Sequence, residues 1–220
     1  MGNLKAIKRG TRQIDANLNR VFRSKEILIK QQKESYEYIR SREIIPYLDQ
    51  SIALLDLHSS PDKNSKPCII CEKYSLDLAK YLSPKIIILG IDNLEPGSTD
   101  GYMYNRGKIG ICVEGGYHKD PKAIDVAMDS IYRFLSYFDM VDYSIKKAKK
   151  KIYKMNRIYF TKTNFIPNKK YGDFTSIKKG SVVGYDGKKA IRINKNCITL
   201  FVIKRKEPNK EAFLLGDIIK

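Results

Sequence analysis

The sequence predicts an α/β fold with a mixed, mainly parallel sheet flanked by helices, followed by a small all-β domain. Up to about residue 140, short apolar runs alternate with helix-like segments, which is typical of parallel strands joined by helices. A run of lysines follows at residues 146–151, and the chain beyond it carries only short β-type runs. We therefore expect a boundary near residue 150, with one domain at 1–150 and a second at 151–220.

Hydrophobic periodicity predicts the elements of the first domain in order. Residues 25–49 carry apolar side chains at helical intervals and predict one or two helices, broken near Pro46 because proline lacks the N–H that a helix interior uses. Residues 75–83 predict a short helix with Ser75 as its N-cap. Residues 121–138 place apolar side chains on one face and predict an amphipathic helix opened by Pro121. Four apolar runs predict buried strands: 51–58, 66–74, 84–91 and 109–116.

The second domain is predicted from several short runs of β-branched, aromatic and aliphatic residues, among them KIYKMNRIYF and EAFLLGDII. The dipeptide Asp186-Gly187 predicts a two-residue hairpin turn, since glycine tolerates the positive φ that such turns require.

The composition indicates a globular protein, because the chain has 220 residues and 42% of them are hydrophobic. It contains no apolar run of the roughly 18–20 residues that a membrane span needs, and no signal-peptide segment near its start. Three of its four cysteines lie in strand-like runs, which favours reduced thiols in a core over disulfides. We therefore expect a cytoplasmic protein without a membrane partner.

A formal charge of +18 raises the possibility of nucleic-acid binding. However, much of the lysine is scattered, and the chain has no zinc-finger spacing, helix-turn-helix signal or RNA-recognition aromatic motif. The dense run at 146–151 is better explained as a solvated linker. A nucleic-acid partner is therefore unlikely from the sequence and ranks last among the functions considered.

Polar side chains follow two of the predicted strands. Asp56 and His58 close the first strand and Glu114 closes the fourth, and open α/β sheets place their sites at such carboxyl ends. Taken singly, His58 is better explained as a satisfied strand-end histidine and Glu114 as a surface acid. Near the start of the chain, Asn19 and Arg20 stand side by side, as a pocket for a carboxylate would require.

These stretches resemble the aspartoacylase and succinylglutamate desuccinylase family of zinc-dependent deacylases, relatives of the zinc carboxypeptidases. The resemblance rests on TRQIDANLNRVF at 11–22, LLDLHSS at 54–60 and ICVEGG at 111–116, and it extends over about residues 3–140. It implies a carboxypeptidase-like fold, a zinc cofactor and a small anionic substrate, an N-acyl amino acid or a related acylated metabolite.

The resemblance also implies a role for each residue of the site. His58 would be a zinc ligand, and Glu114 would be the general base that takes a proton from water. Arg12 would stabilise the oxyanion that forms on the amide carbonyl. Asn19 and Arg20 would hold the carboxylate of the substrate.

The chain departs from the family pattern in its zinc ligands. The family takes two ligands from a His-x-x-Glu upstream of the arginine signature, and this chain has no such motif. Cys68 and Cys71 do not replace it, because residues three apart in a strand point to opposite faces. Since catalytic zinc ordinarily takes three protein ligands, we expect a fragment or a degenerate relative that is inactive alone. Asn17 also stands where the family has Asp, and Tyr102 and Arg106 align only loosely with substrate contacts.

A missing first strand would expose a strand edge, so the sequence predicts association with a second chain or a homo-oligomer that covers it. Three functions stay open at this point. The first is a zinc-dependent hydrolase, the second a non-catalytic protein that retains the carboxylate clamp, and the third a basic nucleic-acid-binding protein.

Overall fold

The computed structural model describes residues 2–219. Seven α-helices are present in this range: α1 (Leu4–Arg9), α2 (Lys30–Lys33), α3 (Tyr36–Gln50), α4 (Leu76–Ala79), α5 (Ile91–Leu94), α6 (Thr99–Tyr104) and α7 (Lys122–Tyr137). The strands of the first part are β1 (Ala53–Ser60), β2 (Cys68–Cys71), β3 (Ile86–Leu89) and β4 (Ile109–Tyr117). Those that follow are β5 (Lys151–Phe160), β6 (Phe165–Pro167), β7 (Thr175–Ile177), β8 (Val182–Asp186), β9 (Lys189–Arg192), β10 (Cys197–Leu200) and β11 (Glu211–Ile218).

The main sheet has eight strands in the order β1-β4-β2-β3-β5-β11-β10-β7. β1 and β4, β2 and β3, and β3 and β5 pair in parallel, whereas β4 and β2 and the pairs from β5 onwards are antiparallel. A second, antiparallel sheet contains β6, β8 and β9. The mixed sheet and the small β structure confirm the predicted fold class. Because β5 continues the main sheet, the two parts share it, and the boundary near residue 150 stays a prediction.

Helices cover both faces of the sheet near β1. On one face, Leu54 packs with Ile44 and Leu48 of α3. On the other face, Leu55 packs with Val126 and Phe134 of α7. Neighbouring residues of β1 thus serve two different cores, as the alternation of side chains along a strand requires.

The predicted helix break near Pro46 is wrong, because α3 runs from Tyr36 to Gln50 and includes this proline. Pro46 lies on the exposed side of the helix, where water can bond the carbonyl oxygen left without a partner. The buried side is held by Ile44 and Leu48, and the hydroxyl of Ser35 caps the first turn by accepting from the amide of Tyr38.

Two predictions of local chemistry need correction. Ser75 is the N-cap residue of α4 as predicted, but its side chain does not cap the helix, because its hydroxyl is hydrogen-bonded to the backbone of Gly110, donating to its oxygen at 2.9 Å and accepting from its nitrogen at 3.0 Å. The hairpin turn lies one residue later than predicted. Asp186 is the last residue of β8 and pairs with Lys189, so the two loop residues are Gly187, with φ of 59°, and Lys188.

The lysine run is only partly solvated. Lys147 forms an ion pair with Asp77 at 2.6 Å. Lys150 is buried and its ammonium donates to the backbone oxygens of Leu82 and Pro84, and this burial lowers its pKa to about 8. Two of the lysines therefore stabilise the fold. No helix within residues 2–219 is long and apolar enough to cross a membrane.

Candidate functional site

The site forms where β1 and β4 end side by side. Their parallel register pairs His58 with Glu114, and the imidazole Nδ1 lies 3.7 Å from the Glu114 Oε1. Parallel neighbours end at the same edge of a sheet, so the two predicted residues meet because of the strand direction.

Asp56 holds the other nitrogen of His58. Its Oδ2 lies 3.2 Å from the imidazole Nε2 and also accepts from the Thr99 hydroxyl at 2.6 Å. Burial disfavours the imidazolium, but the hydrogen bond to Asp56 and the charges of Asp56, Glu114 and Asp100 outweigh it and raise the pKa of His58 to about 9. In the metal-free site at neutral pH, His58 is therefore protonated.

A single cavity of about 130 Å³ brings the five predicted site residues together. Its lining includes Arg12, Asn19, Arg20, His58 and Glu114. The side-chain nitrogen of Asn19 lies 3.3 Å from the Nε2 of His58. Residues far apart in the sequence thus share one polar cavity, which none of the separate motifs could establish.

A short 3-10 turn, Leu18–Arg20, positions the asparagine and arginine. It begins at Asn17, whose side chain accepts from the amide of Asn19 at 3.1 Å. The departure from the family pattern at Asn17 therefore retains a capping role, because asparagine and aspartate both cap helix starts.

Arg20 is already engaged within the cavity. Its guanidinium forms an ion pair with Glu95 and donates to the backbone oxygen of Asn19 at 2.7 Å. Gly97 approaches the backbone of Arg20 so closely that a Cβ there would lie 2.6 Å from the Arg20 carbonyl carbon. An incoming carboxylate would therefore have to exchange with Glu95.

One group within residues 2–219 has the donors and spacing for a metal ion. It consists of His58, Cys112 and Glu114, whose ligand atoms lie within 4.8 Å of one another. Nitrogen, sulfur and carboxylate oxygen are all donors that zinc accepts. The Oε2 of Glu114 is buried without a hydrogen-bond partner among the described residues, so it could accept a further bond. The group fits a metal in donor type and number.

Cys112 was missed by the sequence reasoning, although a signal existed. It stands two residues before Glu114 in β4, and side chains two apart in a strand share a face. Burial raises the pKa of the Cys112 thiol well above its usual range, so the free thiol is neutral. Cys68 and Cys71 pack in different cores on opposite faces, as expected.

Two buried acids near the cavity were also missed. Burial raises the pKa of Asp100 to about 7, and the neighbouring charge of Asp92 adds to the shift. Asp92 accepts from the Ser98 hydroxyl at 2.6 Å. Burial likewise raises the pKa of Glu114, although the positive charges of His58 and Arg12 oppose it. The site therefore concentrates carboxyl groups whose pKa values are raised by burial.

Tyr102 and Arg106 do not line this cavity. The Tyr102 hydroxyl donates to Asp49 at 2.8 Å, and the Arg106 Nε donates to the same carboxylate at 3.1 Å. The guanidinium of Arg106 stacks on the ring of Tyr102 at 3.4 Å. Their loose alignment with substrate contacts therefore has no support from their positions.

The mixed α/β sheet has a carboxypeptidase-like fold, and its site combines an imidazole and a carboxylate at the ends of β1 and β4 with two guanidinium groups from the N-terminal segment. The family model for the succinylglutamate desuccinylase/aspartoacylase catalytic domain matches residues 1–137. The chain belongs to this family, whose members hydrolyse acylated amino acids, and the resemblance inferred from the three motifs is confirmed. No curated protein sequence matches the chain.

Solved structures share the fold. A succinylglutamate desuccinylase from Vibrio cholerae aligns with a TM-score of 0.74 at 19% identity, over 99% of this chain and 69% of that one. A succinylglutamate desuccinylase/aspartoacylase from Rhodobacter sphaeroides gives 0.72 at 11% identity, over 99% and 73%. The product-bound ectoine utilization protein EutE (DoeB) from Ruegeria pomeroyi gives 0.68 at 14% identity, over 98% and 72%.

Proposed function

We propose that this chain carries the site of a zinc-dependent hydrolase that cleaves the amide bond of an N-acyl amino acid or a related acylated metabolite, and that it does not turn over substrate alone. The observation that carries the proposal is the meeting of His58 and Glu114 with Arg12, Asn19 and Arg20 in one cavity. Membership of the family supplies the reaction class.

Each side chain has a chemical task in this proposal. Glu114 would take and return a proton as the general base, and burial raises its pKa above the usual value of a glutamate, which makes it a stronger base. Arg12 would stabilise negative charge on the carbonyl oxygen of the amide. Arg20 and Asn19 would hold the substrate carboxylate, with Arg20 released from Glu95 on binding.

His58, Cys112 and Glu114 would be the residues that hold zinc. When bound, zinc acts as a Lewis acid that lowers the pKa of water and polarises a carbonyl. However, if Glu114 serves as the base, only His58 and Cys112 remain as ligands. A catalytic zinc site ordinarily uses three protein ligands, so the expected inactivity of the isolated chain follows from this shortage.

A non-catalytic carboxylate-binding role is the second candidate. It is favoured by one observation: the Asn19–Arg20 turn is fully formed, whereas the candidate metal group must share Glu114 between two tasks. Such a protein would bind N-acyl amino acids without hydrolysing them. Nucleic-acid binding has less support, since Lys147 and Lys150 are engaged within the fold.

The test measures binding and turnover separately, with N-succinylglutamate and N-acetylaspartate as probes. Calorimetry of the chain with zinc should detect binding of at least one probe, weakened about tenfold or more in Arg20→Ala. Arg106→Ala, which removes an arginine outside the cavity, is the matched control and should bind normally. Absence of binding in the wild-type chain would disprove both candidates, whereas hydrolysis by the chain alone would disprove the predicted inactivity.

We also propose a cytoplasmic location. The four cysteines are free thiols in buried positions, as is usual in a reducing compartment.

A further inference from the structure

A second cavity lies beside the chain segment that follows the Leu18–Arg20 turn. Its volume is about 630 Å³, which is within the roughly 300–1,000 Å³ of sites for small molecules. Among residues 2–219, it shares no lining residue with the cavity of about 130 Å³ that contains His58 and Glu114. The proposed hydrolase reaction therefore gives this second cavity no role.

Every positively charged side chain in its described lining is an arginine. Arg23, Arg42 and Arg106 line the cavity, which we therefore call the arginine cavity. The chain has 42 basic residues, and only 11 of them are arginines. Three arginines around one cavity are thus more than this lysine-rich composition predicts. Arginine differs from lysine in its planar fork of N–H donors, which matches the oxygens of a carboxylate or a phosphate.

Arg42 is held in place without an acidic partner. Its Nη2 donates to the backbone oxygens of Val21 at 2.7 Å and Arg23 at 3.1 Å, and its Nε donates to the hydroxyl of Ser41 at 3.2 Å. The guanidinium also lies over the ring of Tyr38, 4.7 Å from the ring centroid. Within residues 2–219, its Nη1 makes no hydrogen bond and no carboxylate pairs with it. Arg42 is therefore a fixed positive charge that has a donor left for a ligand.

The positive charge of the arginine cavity exceeds the negative charge of its own acids. Arg23 is half-buried and makes no side-chain hydrogen bond or ion pair within residues 2–219. Asp49 is the one acidic residue in the described lining, and its Oδ1 accepts from the Nε of Arg106 at 3.1 Å. Three guanidinium groups against one carboxylate leave a formal charge of +2. A ligand with two negative charges would neutralise it.

Much of the remaining wall is apolar. It includes Phe22, Ile27, Ile45 and Pro96. Ile27 is 55% exposed, so it can contact a ligand that enters from solvent. Such a wall is typical of sites that bind the body of a ligand through apolar contacts and fix its orientation with a few polar groups.

We propose that the arginine cavity binds a phosphate monoester with a small apolar body. The phosphoryl oxygens would accept from Arg23, Arg42 and Arg106, and the body would contact Ile27 and Ile45. A phosphate monoester fits better than a carboxylate, because it carries up to two negative charges and three acceptor oxygens on one atom. A single carboxylate has one charge and two oxygens, and it would leave part of the positive charge unpaired.

The test uses phenyl phosphate and benzoate, which share an aromatic ring and differ in the charged group. Calorimetry of the complete 220-residue chain at about pH 7.5 should detect one-to-one binding of phenyl phosphate, and benzoate should bind about tenfold or more weakly. Salt at about 0.15 M screens the general attraction of anions to a chain with a formal charge of +18. The measurement needs neither metal nor an N-acyl amino acid, so it is independent of the proposed hydrolase function.

Four variants locate the bound phosphoryl group. Arg23→Ala removes a guanidinium that bonds to no other described residue, so the variant should fold and bind phenyl phosphate about tenfold or more weakly. Arg42→Lys keeps the positive charge but removes the planar fork, and it should also weaken binding. Arg192→Ala removes the same charge from an exposed position in β9 and should bind normally. Arg20→Ala changes the other cavity and should bind phenyl phosphate normally as well.

Four results would overturn the proposal. The first is the absence of saturable phenyl phosphate binding by the wild-type chain, and the second is benzoate binding of equal strength. The third is a loss in Arg192→Ala as large as the loss in Arg23→Ala, which would assign the binding to net charge alone. The fourth is weaker binding in Arg20→Ala, or displacement of phenyl phosphate by N-acetylaspartate, which would place the ligand in the hydrolase site.

Discussion

In two regions of the molecule, the pKa values of acidic side chains are shifted in opposite directions. In the β-rich region, Asp186 accepts hydrogen bonds from the amides of Lys162 and Thr163, from the Thr163 hydroxyl and from the Tyr159 hydroxyl, at 2.6 to 2.9 Å. These bonds overcome the cost of burial and lower its pKa to about 2. At the ends of β1 and β4, burial raises the pKa of Asp100 to about 7 and also raises that of Glu114. Asp186 stabilises a turn, whereas the acids of the site are buried in a way that disfavours their charged form.

The largest effect is expected where the acid is fully hydrogen-bonded. Asp186→Ala leaves buried donors without an acceptor and should lower the free energy of unfolding by about 2–4 kcal/mol in urea denaturation. Because the pKa of Asp186 is lowered in the folded protein, its contribution is present above about pH 4 and should be lost as the pH falls towards 2. Asp142→Ala, at an exposed position, is the control and should change little. Equal effects of the two variants would contradict the stabilising role of Asp186.

A change in the free energy of unfolding of the opposite sign is expected for Asp100, an acid of the site. Asp100→Asn removes a buried charge and should raise the free energy of unfolding by about 1–2 kcal/mol at pH 8. The raised pKa of Asp100 means that the wild-type chain loses stability as the pH rises from about 4 to 7, so the gain should disappear at pH 4. Thermal denaturation at the two pH values measures this, and destabilisation by Asp100→Asn at pH 8 would contradict it.

Measurements of zinc binding test whether His58 is a metal ligand of the site. His58→Ala should weaken zinc binding about tenfold or more, whereas Cys68→Ser, which changes a core thiol, should not. Since the pKa of His58 is about 9, zinc must displace a proton, and the affinity should rise as the pH increases towards 9. Titration with a competing chelator at several pH values measures both effects. Equal zinc binding by the wild-type chain and His58→Ala would remove His58 from the ligands.

The smallest effect is expected at the ion pair that occupies Arg20. Glu95→Gln weakens the hold on the guanidinium and should strengthen carboxylate binding by only a few-fold, because both side chains of the pair are partly exposed. Calorimetry with N-acetylaspartate measures the change, with Glu207→Gln as an exposed control. Weaker binding in Glu95→Gln would mean that Glu95 positions Arg20 for the ligand.

Much of the fold was predictable because it depends on local patterns. The apolar runs around His58 and Glu114 predicted β1 and β4, and the motifs at their ends predicted which side chains the site contains. Glu95 was not predictable, since its partner Arg20 is 75 positions away and no periodicity connects them. The raised pKa of Asp100 was not predictable either, because it results from the burial of this residue in α6 and no local sequence pattern indicates that burial. The helix through Pro46 was missed because tertiary packing outweighed the local effect of proline.

The position of β5 in the sheet has a consequence for the order in which the chain folds. β5 lies between β3, which is made about 60 residues earlier, and β11, which is made about 50 residues later. During synthesis, the open side of β5 must therefore wait until residues 211–218 have left the ribosome. Closing such distant pairs costs loop entropy before any contact is gained, so we expect the pairing of β5 with β11 to be a slow and late step of folding.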